Sequence, residues 1–416
     1  MALDKVTVGV LADEAVTSAK LDTNLQVDGT LGVTGASTLT GNATASGNLT
    51  VTGDIVPSTP LSHRNLIING GMQVWQRATA ATAAHSYVTA DRWQFNEGGG
   101  SDGEFTCEKH TMALSEINTT GHSTALKLVC TTLDSAVDPS TYAYFSHNIE
   151  AQNLQHLQYG TANAKTITAS FWVKSNKTGS YSFNITKEDS TACRFSKSYS
   201  IDVADTWEQK KITITPDAGS TVFVTGSGGI IVNDNGLGFA VNFGLSWGSN
   251  YQTSTDGVWT TSGHYAVNTQ VNWQDSTSNN FYITGVQLEL GSNATPFEHR
   301  SFGDELHRCQ RYFYRFPALG GGNIGGIVVQ QHTAGNTYGG IRFKQTMRAA
   351  PTLSVLNPTS FSVYSGGTGR ACIGIASDGT STDGASFGFN TASATVGQAG
   401  AVNGSSGAAF TFEAEL

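Results

Sequence analysis

Thr166-Ile-Thr-Ala-Ser-Phe-Trp-Val173 places Ile167, Ala169, Phe171 and Val173 at alternate positions. A period of two is the mark of a strand with one inward face. The same short, alternating texture recurs on either side of it. It is present in Ala125-Leu-Lys-Leu-Val-Cys130, Tyr181-Ser-Phe-Asn-Ile185, Trp207-Glu-Gln-Lys-Lys-Ile-Thr-Ile214, Gly238-Phe-Ala-Val-Asn-Phe243 and Phe281-Tyr-Ile-Thr-Gly-Val-Gln-Leu288. Turn-rich pieces such as Ser175-Asn-Lys-Thr-Gly179 and 226–229 separate the runs. Many short strands at this pitch predict a β-sandwich, and about eight of them a jelly roll. All seven tryptophans fall between Trp75 and Trp273, so this block carries its own core.

The rest of the chain agrees with an all-β protein. Of 416 residues only 13% are charged and 38% are hydrophobic, with 48 Gly and 8 Pro. This is turn-rich β composition rather than the Leu/Glu/Lys usage of helical proteins. Aromatics at 10% exclude a disordered chain. Lys and Arg total 23, and the net charge of −9 lacks the basic footprint of a nucleic-acid binder. No run of 18 apolar residues exists, so no membrane insertion is expected. The N-terminal run MALDKVTVGVLADEAV carries charges and does not read as a secretory signal. Cys107, Cys130, Cys193, Cys309 and Cys372 are odd in number and irregularly spaced. They read as small buried thiols rather than a disulfide framework or a zinc site.

Near the N-terminus, Gly29, Gly35, Gly41, Gly47 and Gly53 recur every six residues. Odd positions from 25 to 55 are nearly all apolar or small, and even positions are mostly Thr, Ser, Asn or Asp. One such strand cannot bury itself. Copies of the chain around a common axis would cover it, so residues 25–60 predict an interlocked β-shaft. Its trimer core would be Val27, Leu31, Val33, Leu39, Leu49, Val51 and Ile55. A flexible Gly/Thr linker would not need apolar residues in phase with glycine. Residues 1–24 read as an attachment segment, with a strand at Val6 to Leu11 and a helical turn or further shaft at Ala15 to Leu21. Pro57 and Pro60 close the shaft, because proline cannot donate to a ladder.

Four motifs stand in order across the middle block. They are Asn65-Leu-Ile-Ile-Asn-Gly-Gly-Met-Gln-Val-Trp-Gln-Arg77, Ala90-Asp-Arg-Trp93, Phe171-Trp-Val-Lys-Ser175 and Val286-Gln-Leu-Glu-Leu-Gly-Ser-Asn-Ala-Thr-Pro-Phe297. Together they resemble a module of tailed-bacteriophage tail fibres and related virion proteins. More loosely, they resemble jelly-roll carbohydrate-binding modules. The likeness continues through Glu305-Leu-His-Arg-Cys-Gln-Arg-Tyr-Phe-Tyr314 and covers roughly residues 61–316. The run Met347-Arg-Ala-Ala-Pro-Thr-Leu353 resembles the stretch that links this module to a distal β domain in phage fibres.

The residues of these motifs also have a direct reading. Asn69-Gly70-Gly71 is turn chemistry that asks for positive φ. Asp91 and Arg92 are placed to pair inside a loop. Gln287 and Glu289 share the strand face opposite Val286, Leu288 and Leu290, which predicts a half-buried strand ended by Gly291. Residues 303–315 predict a short helix capped by Asp304, with Leu306, Cys309, Gln310 and Phe313 on one face. Arg308, Arg311 and Arg315 sit towards its C-terminal end. The domain order is then jelly roll 61–300, helix linker 301–316 and a Gly-rich β-sandwich tip 317–416. The last 100 residues hold 19 Gly and no Trp. Ser377 to Gly384 and Asn403 to Gly407 read as long polar loops suited to recognition.

No catalytic constellation stands out: there is no HExxH, nucleophile elbow or phosphate loop. Glu188 and Asp189, and Asp378 and Asp383, read as solvated loop acids rather than a glycosidase pair. No cofactor is expected. Calcium is compatible with the jelly-roll resemblance, but no Asp-rich loop has its ligand spacing. For binding, Trp247, Tyr251, Trp259, Tyr265 and Trp273 form an aromatic cluster interleaved with Asn250, Thr253, Asp256, Asn268, Gln274 and Asp275. Flat rings stack on sugar C–H faces while polar neighbours take hydroxyls; the competing role for such rings is packing the sandwich core. Tyr338, Arg342, Tyr364 and Arg370 form a second set in the tip.

The resemblance and the repeat together predict a homotrimeric virion fibre of a tailed phage, assembled in the host cytoplasm. Residues 1–24 would mount it on a tail, baseplate or neck protein. The jelly roll and tip would meet a host-surface glycan or lipopolysaccharide, with repetition turning weak contacts into adhesion. Two alternatives differ in class. A fibre-borne polysaccharide-degrading enzyme would need a large β-helix or a cleft with paired acids. A head or neck decoration fibre would have no receptor role.

Overall fold

The computed structural model describes residues 62–83, 85–219, 222–317, 327–392, 394–405 and 407–416. Chain contacts divide the molecule at Val56–Pro57, and all the described residues belong to the unit that starts at Pro57. The attachment segment and the shaft positions Val27, Leu31, Val33, Leu39, Leu49, Val51 and Ile55 lie outside the described residues.

The first layer pair is built from β1 (Ala80–Ala81), β2 (Trp93–Gly98), β3 (Glu104–Thr111), α1 (Leu114–Thr120), β4 (Thr124–Thr132) and β5 (Tyr142–Glu150). The chain continues through β6 (Ile167–Ser175), β7 (Gly179–Lys187), β8 (Cys193–Ile201), β9 (Glu208–Ile214) and α2 (Val222–Thr225). It then forms β10 (Leu237–Trp247), β11 (Gln252–Thr253), β12 (Val258–Thr260), β13 (Ala266–Val267) and β14 (Asn280–Leu290). Two six-stranded sheets result, in the orders β1-β3-β4-β14-β6-β9 and β12-β8-β7-β10-β5-β2. Their inner faces meet in one core, as the alternating strands of a jelly-roll sandwich predict. Phe145 stacks on Phe243 at 5.2 Å between ring centroids, and Phe171 meets Phe243 edge-on at 5.1 Å. Each such buried Phe contributes roughly 1.5–3 kcal/mol. All five cysteines are free and buried.

Central strand β14 is buried on both faces, not one. Val286 and Leu288 face the core, but Gln287 and Glu289 are also buried. As their spacing implies, these two share a face, with Gln287 Nε2 donating to Glu289 Oε1 at 2.8 Å. The cover comes from the segments that flank the module. Leu66 N donates to Leu288 O at 2.9 Å, and Glu298 N donates to Gln287 Oε1 at 2.8 Å. The Asn69-Gly70-Gly71 turn works differently from expectation. Positive φ falls on Asn69 (59°) and Met72 (53°), not on the glycines. Gly70 is required for proximity instead: a Cβ there would lie 2.0 Å from Val286 O.

The helix is shorter than its apolar spacing predicts. α3 spans Phe302–Gln310, and its N-cap is Ser301, whose Oγ accepts from Asp304 N at 3.2 Å. Phe313 leaves the helix to start β15 (Phe313–Pro317) because Tyr312-Phe-Tyr-Arg-Phe316 are strong strand formers and a partner strand is present.

The remaining strands are β16 (Val328–Gln331), β17 (Asn336–Arg342), β18 (Thr352–Leu356), β19 (Phe361–Ser365), β20 (Thr368–Ser381), β21 (Gly384–Thr391), β22 (Ala399–Gly404) and β23 (Ala409–Glu413). The tip is therefore β, but not a second open sandwich. Six strands close into a barrel, β16-β17-β21-β20-β19-β22, and β15-β23-β18 form a separate three-stranded sheet. Glycine-rich strands bend readily enough for closure. Phe410 and Phe412 of β23 pack on Phe387 of the barrel at 4.8 and 6.0 Å. Residues 377–381, expected in a loop, extend β20 and pair with β21 as far as Ser381↔Gly384.

Buried ionic contacts join the sandwich to the segment that follows β23. Arg92, wholly buried, pairs with Glu415 and lies 3.4 Å from the Tyr312 ring centroid. Arg77 reaches Glu415 at 3.0 Å and Asp91 at 3.9 Å. Asp91 and Arg92 thus each pair elsewhere, rather than with one another. Burial pushes the Asp91 carboxyl up to about 6 against the pull of Arg77.

Candidate functional site

The outer face of the second sheet carries polar side chains. Asn184 Nδ2 donates to Ser196 Oγ, and Asn242 Nδ2 and Thr186 Oγ1 both donate to Asn184 Oδ1, each at 2.9 Å. The segment after β10 folds back over this face. Ser196 Oγ donates to His264 O, and Val267 N donates to Ser182 Oγ, both at 3.0 Å.

At one end of the same face the aromatic side chains gather. Trp247 is stacked on both sides, by Tyr144 at 4.9 Å and 16° and by Tyr265 at 5.2 Å and 9°. Arg194 caps Tyr265, with its guanidinium carbon 4.6 Å from the ring centroid and Nη2 donating to the phenol at 2.8 Å. Tyr251 meets Trp247 edge-on at 5.4 Å, and Tyr142 lies tilted beside Tyr144 at 5.9 Å. Tyr144 ends the stack. It is half-buried, and among the described residues no ring lies parallel on its second face. Burial and the neighbouring phenols push its hydroxyl up to about 12.

The site holds polar atoms without partners. Among the described residues, Trp247 Nε1, both amide atoms of Gln270 and the amide nitrogen of Asn96 make no hydrogen bond. They lie close together. Gly244 pairs opposite Tyr144, and Asn96 pairs opposite Tyr144 on its other side. A Cβ on Gly244 would lie 2.2 Å from Trp247 Nε1 and 3.0 Å from Gln270 Oε1. Native structures leave few buried polar atoms unsatisfied, and those that remain call for an explanation. Trp247 is itself only 5% exposed between its two neighbours, and these amide and indole atoms are closed off from solvent, so the ring open to a sugar is the half-buried Tyr144.

Of the five aromatic residues read from sequence, the structure brings Trp247, Tyr251 and Tyr265 together. Trp259 and Trp273 are core residues. Trp259 packs on Phe195 at 5.6 Å and donates to Thr215 O. Trp273 packs on Phe105 at 6.2 Å and donates to Asn280 O. Gln274 is buried with it and donates to Glu97 at 3.1 Å. Asp256 holds Lys197 at 2.8 Å, and Asp275 pairs with Lys177. Tyr142 and Tyr144 escape the sequence reading. Their two-residue spacing on either side of Ala143 is the available signal, since it puts both rings on one strand face.

The four tip residues do not form one site. Tyr338 and Arg342 project from β17, while Tyr364 and Arg370 lie on β19 and β20. In the closed barrel β17 and β19 are three strands apart in either direction, so the pairs stand on opposite walls. Tyr338 and Tyr364 are exposed, at 39% and 50%. Arg370 donates to Ser365 O at 3.1 Å and to its Oγ at 3.0 Å. Glu188, Asp378 and Asp383 are exposed, and Asp189 accepts from Val232 N at 3.0 Å. No group of three or more His, Cys, Asp or Glu among the described residues is arranged to hold a metal ion.

No protein-family model matches the chain, and no curated protein matches it. Among solved structures the chain is similar to the enzymatically active domain of tailspike protein 4 of bacteriophage CBA120, at 15% identity and a TM-score of 0.27, over 55% of this chain and 21% of that one. It is also similar to TmCBM61 in complex with β-1,4-galactotriose, at 12% identity and a TM-score of 0.26, over 55% of this chain and 99% of that one. The family 11 carbohydrate-binding module of Clostridium thermocellum, in complex with a β-1,3-1,4-mixed-linked tetrasaccharide, matches at 12% identity and a TM-score of 0.26, over 53% of this chain and 99% of that one. The match thus spans about a fifth of the tailspike domain's own length, and each of the three covers just over half of this chain.

Proposed function

We propose that this chain is a receptor-binding fibre of a tailed bacteriophage that holds a host-surface glycan at the Tyr144–Trp247–Tyr265 stack. It binds rather than cleaves its ligand. The fibre is a homotrimer built on the 25–55 repeat, mounted by residues 1–24 and carried in the virion after assembly in the host cytoplasm. One observation supports the binding role: the half-buried ring of Tyr144 ends a stack outside the core, with no parallel ring on its second face among the described residues. The ordered motifs between Asn65 and Phe297 support the virion setting.

The test is retention of host-surface polysaccharide by the purified full chain. Binding should fall at least tenfold in Tyr144→Ala, with an unchanged melting temperature. Undiminished binding in that variant would remove the stack as the site. Solution mass near three times the 43.8 kDa chain is expected. Antibody against residues 317–416 should block adsorption if the tip also meets the host.

A further inference from the structure

A cleft of about 870 Å³ lies beside α3, away from the aromatic stack. Its wall carries three arginines, Arg300, Arg308 and Arg311. Two of them are committed. Arg311 forms a two-pronged pair with Glu150 at 2.7 and 2.8 Å. Arg300 pairs with Glu298 at 3.2 Å and Glu305 at 3.4 Å, and also donates to Ile67 O and Asn65 O. The acids of the cleft are committed as well. Glu298 accepts from the backbone of Arg64 and Asn65 at 3.1 and 3.0 Å, and Asp304 accepts from Ser301 Oγ at 2.7 Å.

Arg308 is left over. It is half-buried, and among the described residues no hydrogen bond or ion pair engages its guanidinium. Burial and the like charge of Arg300 push its pKa below the usual arginine value, against the pull of Glu305, Glu298 and Asp304, none of which contacts its guanidinium. An arginine fork matches a carboxylate or phosphate with two parallel hydrogen bonds. The rest of the wall is hydrogen-bonding rather than apolar. Gln152, Asn153 and Gln345 supply amides, and His63, His299 and His307 supply ring nitrogens. Amides around a spare guanidinium, in a space large enough for two or three sugar rings, fit a sugar that carries an acid.

We propose that the cleft beside α3 is a binding site for an acidic glycan, with Arg308 taking the carboxylate or phosphate of the sugar. This rests on the reading of the chain as a glycan-recognition protein, but uses a different surface from the Tyr144 stack.

Calorimetric titration of the full chain tests it with four probes: trigalacturonate, its methyl ester, mannose 6-phosphate and inorganic phosphate. At least one acidic sugar should bind, and which one does identifies the acid as carboxylate or phosphate. Trigalacturonate should bind at least tenfold tighter than its ester, or mannose 6-phosphate at least tenfold tighter than inorganic phosphate. Arg308→Gln should weaken that binding at least tenfold without lowering the melting temperature, since no partner is lost. Arg308→Lys should retain part of it. Tyr144→Ala should leave it unchanged, so failure of the stack and failure of the cleft read separately. The inference falls if neither acidic sugar binds, if Arg308→Gln binds as the parent does, or if inorganic phosphate binds as tightly as the sugar phosphate.

Discussion

Arg92 and Glu415, 323 residues apart in sequence, form an ion pair in which both side chains are almost fully removed from solvent. Arg92 also donates to Asn148 O and covers the Tyr312 ring. One pair therefore ties the sandwich to the segment beyond the last strand. Removing one partner leaves a buried charge uncompensated, which costs about 3–5 kcal/mol. Glu415→Gln should lower stability by that order in denaturant unfolding. The double variant Arg92→Met with Glu415→Leu should lose less than the sum of the two single changes. Strict additivity would show that the two do not interact.

The division of the tryptophans between core and site gives a paired prediction. Trp273→Ala should cost about 3–5 kcal/mol of stability, the usual loss for a buried Trp. Trp247→Ala should cost less stability and should abolish polysaccharide retention. Chemical denaturation and a retention assay on the same two proteins separate the roles. Equal losses of stability would undo the assignment of Trp247 to the outer face.

His122 is buried against Phe297, with both ring nitrogens unpartnered among the described residues, and burial together with His299 pushes its pKa down from 6.5 to about 4. In the unfolded chain the ring takes a proton near pH 6.5, while in the fold it resists until about pH 4. Stability present above pH 6.5 is therefore lost as pH falls towards 4, at about 1.4 kcal/mol per pH unit for one proton. His147, also buried and shifted down, adds to the same trend. In melting curves across this range, His122→Leu should remove part of the slope. A slope unchanged by the substitution would exclude His122 as a source.

Glu97 behaves in the opposite sense. Burial, with Glu104 nearby, pushes its carboxyl up from 4.5 to about 8, and its Oε2 has no partner among the described residues. Folding takes up a proton between those values, so its contribution is complete below pH 4.5 and is lost as pH rises towards 8. Glu97→Gln keeps the shape without the charge. At pH 8 it should be more stable than the parent by about 4 kcal/mol, with the gain fading at pH 4.5. A variant destabilised at pH 8 would contradict this.

Strand texture is legible in the sequence because alternation is local. Thr166 to Val173 and Phe281 to Leu288 need no knowledge of their neighbours to be read as strands. Cover and closure stay hidden. Gln287 and Glu289 look like a solvent face until the segments around Asn65 and Glu298 lie across them. Ser377 to Ser381 look like a loop because glycine, serine and aspartate favour turns, yet pairing with β21 holds them extended. Trp259 and Trp247 are indistinguishable by composition. Only the order of strands in the second sheet decides that one ring points inward and the other outward. Arg92 and Glu415 carry no local signal at all, since nothing near either residue names the other.

The six-stranded ring of the tip also guards against stray pairing. A wall without a seam offers no free row of amides and carbonyls for a passing peptide to join. Along the ring only side chains meet the surroundings, and the open sheet margins of this region belong to β15 and β18 of the separate three-stranded sheet.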